Sequence, residues 1–164
     1  MTKHPYPSLK SDPELTKTLV DYINKLRSTS ENQSNTSMAA ADQTKTLQTR
    51  KNARDNFTYA LLLGVAEAKL HSEEIPGLKI DSDSLWSEAT KKCNELSLKI
   101  ESGMYVSFDS EVSREYSRKF RSLLTSLRHE DNHDLRMKIL RGQIEPMSVS
   151  QLRSDQLAPR ARQE

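Results

Sequence analysis

His129, Glu130 and His133 stand at H-E-x-x-H spacing within His129-Glu130-Asp131-Asn132-His133. On one continuous helix, that spacing sets two imidazoles on one face for a zinc ion and a glutamate beside it as general base, the arrangement of a metalloprotease. The same five residues also read as a helix end, a short loop and a new helix. Leu123, Leu124 and Leu127 belong to an apolar stripe that stops at Arg128. Asn132 is then a good N-cap, Asp134 falls in a first turn, and Leu135, Ile139 and Leu140 resume an apolar spacing. Gly142 is placed as the residue that closes this second helix. His129 then ends one helix and His133 starts the next, so the two do not share a face. A working site would also need a third ligand and an apolar helix around the motif, and neither is evident. The second reading is favoured: loop histidines, no metal and no cofactor.

No other enzymatic motif competes. Four scattered glycines cannot build a phosphate cradle, and the sequence holds neither a P-loop nor a nucleophile elbow. The chain is read as a non-enzyme without a small-molecule substrate. Its single cysteine, Cys93, excludes an internal disulfide and any Cys-rich zinc module. No stretch approaches the roughly 20 apolar residues of a membrane span, and MTKHPYPSLK lacks the apolar core of a signal peptide. A soluble intracellular chain is expected.

At 164 residues, 34% hydrophobic and 29% charged, the chain supports one modest helical core with much of its surface solvated. Residues 1–11 read as a tail. Asp12 caps a helix with Pro13 at its first position, running to about Arg27 with Leu15, Leu19, Tyr22, Ile23 and Leu26 on one face. Whether that face packs on the core or binds a partner is left open. STSENQSNTSMAAADQTKT reads as a flexible linker. A core helix follows from near Thr46 to near His71, with Leu47, Ala53, Phe57, Leu61, Val65 and Ala68 apolar. The next follows Asp83/Ser84, its stripe running through Trp86, Ala89, Cys93, Leu96 and Ile100, and Gly103 lies just past its end. Trp86 is expected as a partly buried packing residue and Cys93 as a small buried hydrophobe. A third, from about Ser110 to Arg128, buries Val112, Tyr116, Phe120, Leu123, Leu124 and Leu127. Three such stripes imply an all-α three-helix bundle with short C-terminal helices and an appended N-terminal helix. The expected units are 1–45 (tail, helix and linker), 46–158 (bundle) and 159–164 (tail).

The C-terminal third is also the most basic region. From Arg114 to Arg141, eight basic residues face four acidic ones. Arg114, Arg118 and Arg121 recur at helical spacing, away from the Phe120/Leu123/Leu127 stripe. Such a face can be a solvated helix surface, or it can meet an acidic protein or nucleic acid. Stacking platforms for bases are not expected, because Phe57, Tyr116 and Phe120 fall on core stripes.

Tyr116, Lys119, Arg121, Ser122, Leu124 and Leu127, then Asn132, Asp134, Leu135, Arg136, Ile139, Leu140, Gly142, Ile144 and Pro146, follow one pattern. It resembles the central domain of transcription elongation factor TFIIS. Upstream, Leu96-Ser97 and Ile100-Glu101 match, and Arg50, Arg54 and Leu61 suit the first helix. Downstream, Val149, Leu152, Leu157 and Ala158 echo the closing segment. The resemblance spans about residues 46 to 158. His133 replaces the usual proline, and Arg153 replaces a usual Ser or Thr cap, for which Ser154 could serve.

The resemblance implies a nuclear module that binds RNA polymerase II on the jaw of its largest subunit. Arg114, Arg118, Lys119, Arg121, Arg136, Lys138 and Arg141 are the expected contact residues. With one cysteine and nothing after residue 164, the chain is expected to lack the family's zinc ribbon and acidic hairpin, and so not to stimulate RNA cleavage. It is more similar to the ribbon-less module of regulators with PHD and SPOC domains, such as Dido and yeast Bypass-of-Ess. The alternative is a helical module that binds nucleic acid without sequence preference, with strong salt dependence.

Overall fold

The computed structural model describes residues 13–31 and 41–157. Asp12, the expected cap, lies outside the described residues, as do the tails 1–11 and 159–164. The architecture is all-α, as the stripes imply. Its helices are α1 (Pro13–Glu31), α2 (Ala41–His71), α3 (Leu85–Ser107), α4 (Arg114–Arg128), α5 (His133–Leu140) and α6 (Ser154–Leu157), with a 3-10 helix over Pro146–Gln151 between α5 and α6. The long pair α2 and α3 forms the backbone of the bundle, and α4, α5 and the 3-10 helix pack onto it. Both α1 and α2 extend into the expected linker, which lies outside the described residues only from 32 to 40.

The core is a single cluster in which Phe57, Leu61 and Val65 of α2 meet Ala89, Cys93, Ile100 and Met104 of α3 and Tyr116, Leu123 and Leu127 of α4. Burial pushes the Cys93 thiol up to about 12, so it behaves as a hydrophobe there. Leu47, expected on the apolar stripe, is instead 61% exposed.

Local chemistry explains where the elements stop. After α2, Pro76 and Gly77 form a tight turn in which Leu78 N–H donates to the Ile75 carbonyl at 3.0 Å. Gly77 takes a φ of +83°, the left-handed value that glycine meets without strain. The expected start of α4 near Ser110 moves to Arg114, because Asp109 and Ser110 have φ values of 58° and 56°, which cannot propagate a right-handed helix. Ser113 caps the helix instead, its side chain accepting from Tyr116 N–H at 3.1 Å.

Gly103 does not end α3. The helix runs on to Ser107, and a β-carbon at 103 would stand 2.1 Å from the Met147 carbonyl oxygen. Glycine is required there so that the 3-10 helix can lie against α3. Gly142 behaves as expected, closing α5 with a φ of +75°.

The question left open about α1 is answered. Leu15 and Leu19 are buried in the core cluster. The Tyr22 ring sits 6.1 Å from that of Trp86, which is half-buried. Thr90 Oγ1 and Tyr22 Oη are hydrogen-bonded at 3.0 Å. The helix packs on the bundle.

Candidate functional site

On α4, Tyr116, Leu123 and Leu127 are buried, while Arg114, Arg118, Arg121 and Arg128 are exposed. At 3.6 residues per turn the four arginines fall within a sector of about 80°, and they run about 21 Å along the axis. Among the described residues, none of Arg114, Arg118 and Arg121 takes part in an ion pair. This is an open cationic stripe opposite the buried face. Lys119, another expected contact residue, lies about 140° around the helix from Arg114 and is half-buried.

Arg136 does not belong to any exposed surface. It is 0% exposed. Its Nε and Nη2 donate to Glu67 Oε1 and Oε2, each at 2.7 Å, and its Nη1 donates at 2.7 Å to the carbonyls of Leu127 and His129. Those carbonyls are open acceptors at the C-terminal end of α4. One guanidinium thus ties α2, α4 and α5 together, and it is unavailable to a partner. Gly64 makes room for it: a β-carbon there would come within 3.0 Å of Arg136 Cβ and 2.8 Å of Leu140 Cδ1.

Lys138 is exposed on α5, and Arg141, just past that helix, is exposed beside the loop after α2. Arg141 Nε donates to the Glu74 carbonyl at 3.1 Å, and Nη2 lies 3.5 Å from Glu73 Oε2. Arg141, Glu73, Ile75 and Ile80 help line a cleft of about 750 Å³. The seven expected contact residues therefore divide into an α4 stripe, one half-buried flank, one core residue, one exposed lysine on α5 and one arginine beside the α2–α3 loop.

The H-E-x-x-H segment is split between two helices. His129 follows the last residue of α4 and His133 is the first of α5. Among the described residues, no group of three or more His, Cys, Asp or Glu side chains is arranged to hold a metal ion. His133 is no loose loop residue, however. It is buried, with Nδ1 3.1 Å from Glu67 Oε1 and Nε2 2.7 Å from Glu73 Oε1. Burial opposes its charged form, but hydrogen bonds and charge from Glu67 and then Glu73 outweigh this and hold its pKa above the ordinary value. Burial likewise opposes the Glu67 carboxylate, yet His133 and Arg136 hold its pKa below the usual range. Asn132 was expected as a side-chain cap and makes no such bond; its amide donates at 2.7 Å to the carbonyls of Ser126 and Leu157, joining α4 to α6.

A second ion pair, half-buried, joins α2 to α3. Arg50 Nε and Nη2 donate to Glu101 Oε2 and Oε1 at 2.8 and 2.9 Å, and Tyr116 Oη donates to Glu101 Oε2 at 2.9 Å. The Arg50 guanidinium also lies 3.6 Å from the Tyr105 ring centroid. Burial, then the charge of Glu101, pushes the Tyr116 phenol well above its ordinary range. Thr58 Oγ1 donates to Ser97 Oγ at 2.9 Å across the same α2–α3 seam. Arg50, Ser97, Glu101 and Tyr116 all carry the resemblance, yet their work here is to hold three helices in register.

A small bundle pinned by ion pairs, with an arginine stripe on its outer face, defines the class. The chain matches the family model for the central domain of transcription factor S-II (TFIIS) over residues 45–164, and it belongs to that family. It is accordingly a helical module of transcription elongation that works with RNA polymerase II. No curated protein and no solved structure matches the chain.

Proposed function

We propose that this chain is the polymerase-docking module of an elongation regulator acting in the nucleus. Its α4 stripe meets an acidic surface on the jaw of the largest subunit of RNA polymerase II. The observation that carries this reading is the stripe itself: Arg114, Arg118 and Arg121 are exposed, share one helix face and have no ion-pair partner among the described residues. Unpaired cations at fixed spacing favour fast, oriented association with an acidic partner. Lys138 and Arg141 supply further, smaller contacts.

Residues 1–164 hold one cysteine, buried in the bundle, which supports a reading in which this stretch docks without stimulating RNA cleavage. The ribbon-less modules of PHD and SPOC regulators are the parallel. Binding to nucleic acid is less favoured, because Phe57 and Tyr116 are fully buried and Phe120 packs edge-on against Phe57 at 5.4 Å, leaving none of the three as a stacking platform.

The test is capture of purified RNA polymerase II at about physiological salt by the native chain and by an Arg114→Glu/Arg118→Glu/Arg121→Glu variant. Loss of capture with an unchanged circular dichroism spectrum is expected. Equal capture by both proteins would move the contact elsewhere. Capture of free duplex DNA as strong as that of polymerase would favour the nucleic-acid reading.

A further inference from the structure

His133 stands between two carboxylates that can only accept hydrogen bonds, Glu67 Oε1 at 3.1 Å from Nδ1 and Glu73 Oε1 at 2.7 Å from Nε2. A neutral imidazole has one N–H and one lone pair, so it can serve only one of them. Both contacts together require the imidazolium. The two carboxylates are not held alike. Glu67 lies on α2 and is gripped at both oxygens by Arg136. Glu73 lies in the loop after α2; the other contact of its carboxylate given by the structure is Arg141 Nη2 at 3.5 Å, and its N–H donates to the Ala68 carbonyl at 2.8 Å.

We propose that His133 is a proton-operated latch: as imidazolium it ties the α2–α3 loop to the start of α5, and loss of its proton releases Glu73 and the loop that lines the 750 Å³ cleft. The surrounding charges are consistent with this. From α2 come Glu67 and the His71 ring, edge-on at 5.6 Å; from the loop, Glu73; from α5, Arg136 and the adjoining Asp134; and from the residue that follows α5, Arg141. The latch assigns the neutral ring's one N–H to Nδ1, toward Glu67, which Arg136 fixes in place; the Nε2 lone pair then faces the Glu73 carboxylate, which swings away. The inference is independent of the docking reading, since it concerns how loop and helix are joined.

The experiment is an NMR titration of the His133 ring, combined with amide-exchange protection at Glu73 and Leu78, whose N–H groups donate to the carbonyls of Ala68 and Ile75. Native protein, Glu73→Gln and His133→Gln are compared. The ring should titrate above about 6.5, the ordinary histidine value, and Glu73→Gln should bring its midpoint down. Protection at both amides, corrected for intrinsic rate, should fall about tenfold as the ring loses its proton, the low end of what one charge-assisted hydrogen bond is worth. In both variants protection should not follow pH through that range. A ring midpoint at or below the ordinary value, a midpoint indifferent to Glu73→Gln, or equal protection in both ring states would each overturn the latch.

Discussion

Arg136 and Glu67 meet inside the bundle at two points, each guanidinium nitrogen 2.7 Å from a different carboxylate oxygen. A buried pair of this kind adds little over an apolar pair of the same size, but removing one partner strands the other. Arg136 also serves the carbonyls of Leu127 and His129, so its loss strips a donor from both carbonyls and from Glu67, which keeps only His133 at Oε1. Arg136→Ala should cost about 3–5 kcal/mol in urea unfolding. Arg136→Lys should recover little, because an ammonium cannot span a carboxylate fork and two carbonyls at once. A loss below about 1 kcal/mol, the range of an exposed pair, would contradict the buried geometry.

Gly103→Ala tests the contact between α3 and the 3-10 helix. The new methyl would meet the Met147 carbonyl at 2.1 Å, and backbone cannot rotate away as a side chain can. Overpacking of this type should cost about 1–3 kcal/mol or more. Elsewhere in a helix, glycine to alanine stabilises by up to about 1 kcal/mol, so the sign of the change in unfolding midpoint is decisive. A more stable variant would mean that Met147 does not lie against α3.

These two sites show what could be read from the residues and what could not. The apolar periodicities of α2 to α4 identify the bundle, because burial of a stripe is a one-dimensional pattern. Gly103, placed by spacing alone, looks like a terminator; its purpose depends on a carbonyl 44 positions away in the chain. Arg136 sits in a basic run and reads as surface, since nothing local marks Glu67, 69 positions earlier, as its partner. Six of the residues that carry the family pattern join helices through polar contacts: Arg50, Ser97, Glu101, Tyr116, Asn132 and Arg136. The α4 stripe was legible because Arg114, Arg118 and Arg121 share a helix face whatever the tertiary packing.

Stability should fall on both sides of neutrality, for separate reasons. Glu67 has a folded pKa below its ordinary 4.5, so its contribution is present above that value and lost as pH falls through the folded pKa. His133 has a folded pKa above its ordinary 6.5, so its contribution is fully present below that value and lost as pH rises through the folded pKa. Thermal unfolding from pH 3 to 9 should therefore trace a dome, on the order of several pH units wide. His133→Gln should flatten the alkaline arm and also weaken the acid arm, because His133 is one of the two groups that hold the Glu67 pKa down. An unchanged alkaline arm in that variant would remove His133 as its source.

The family match begins at residue 45, yet α1 contributes Leu15 and Leu19 to the common core. The folding unit is therefore expected to reach back beyond the family domain. Leu19→Ala should then cost about 2–5 kcal/mol, as for other buried leucines. Trp86 gives a direct readout, because it is the chain's one tryptophan and lies against Tyr22 of α1. Removing residues 1–31 takes away the Tyr22 ring and the Thr90 hydrogen bond, and should shift Trp86 emission to longer wavelength while the α2–α3 helices persist. A Leu19→Ala cost within about 0.5 kcal/mol, the range of ordinary surface substitutions, together with unaltered Trp86 emission in the truncated chain, would return α1 to the status of an appendage.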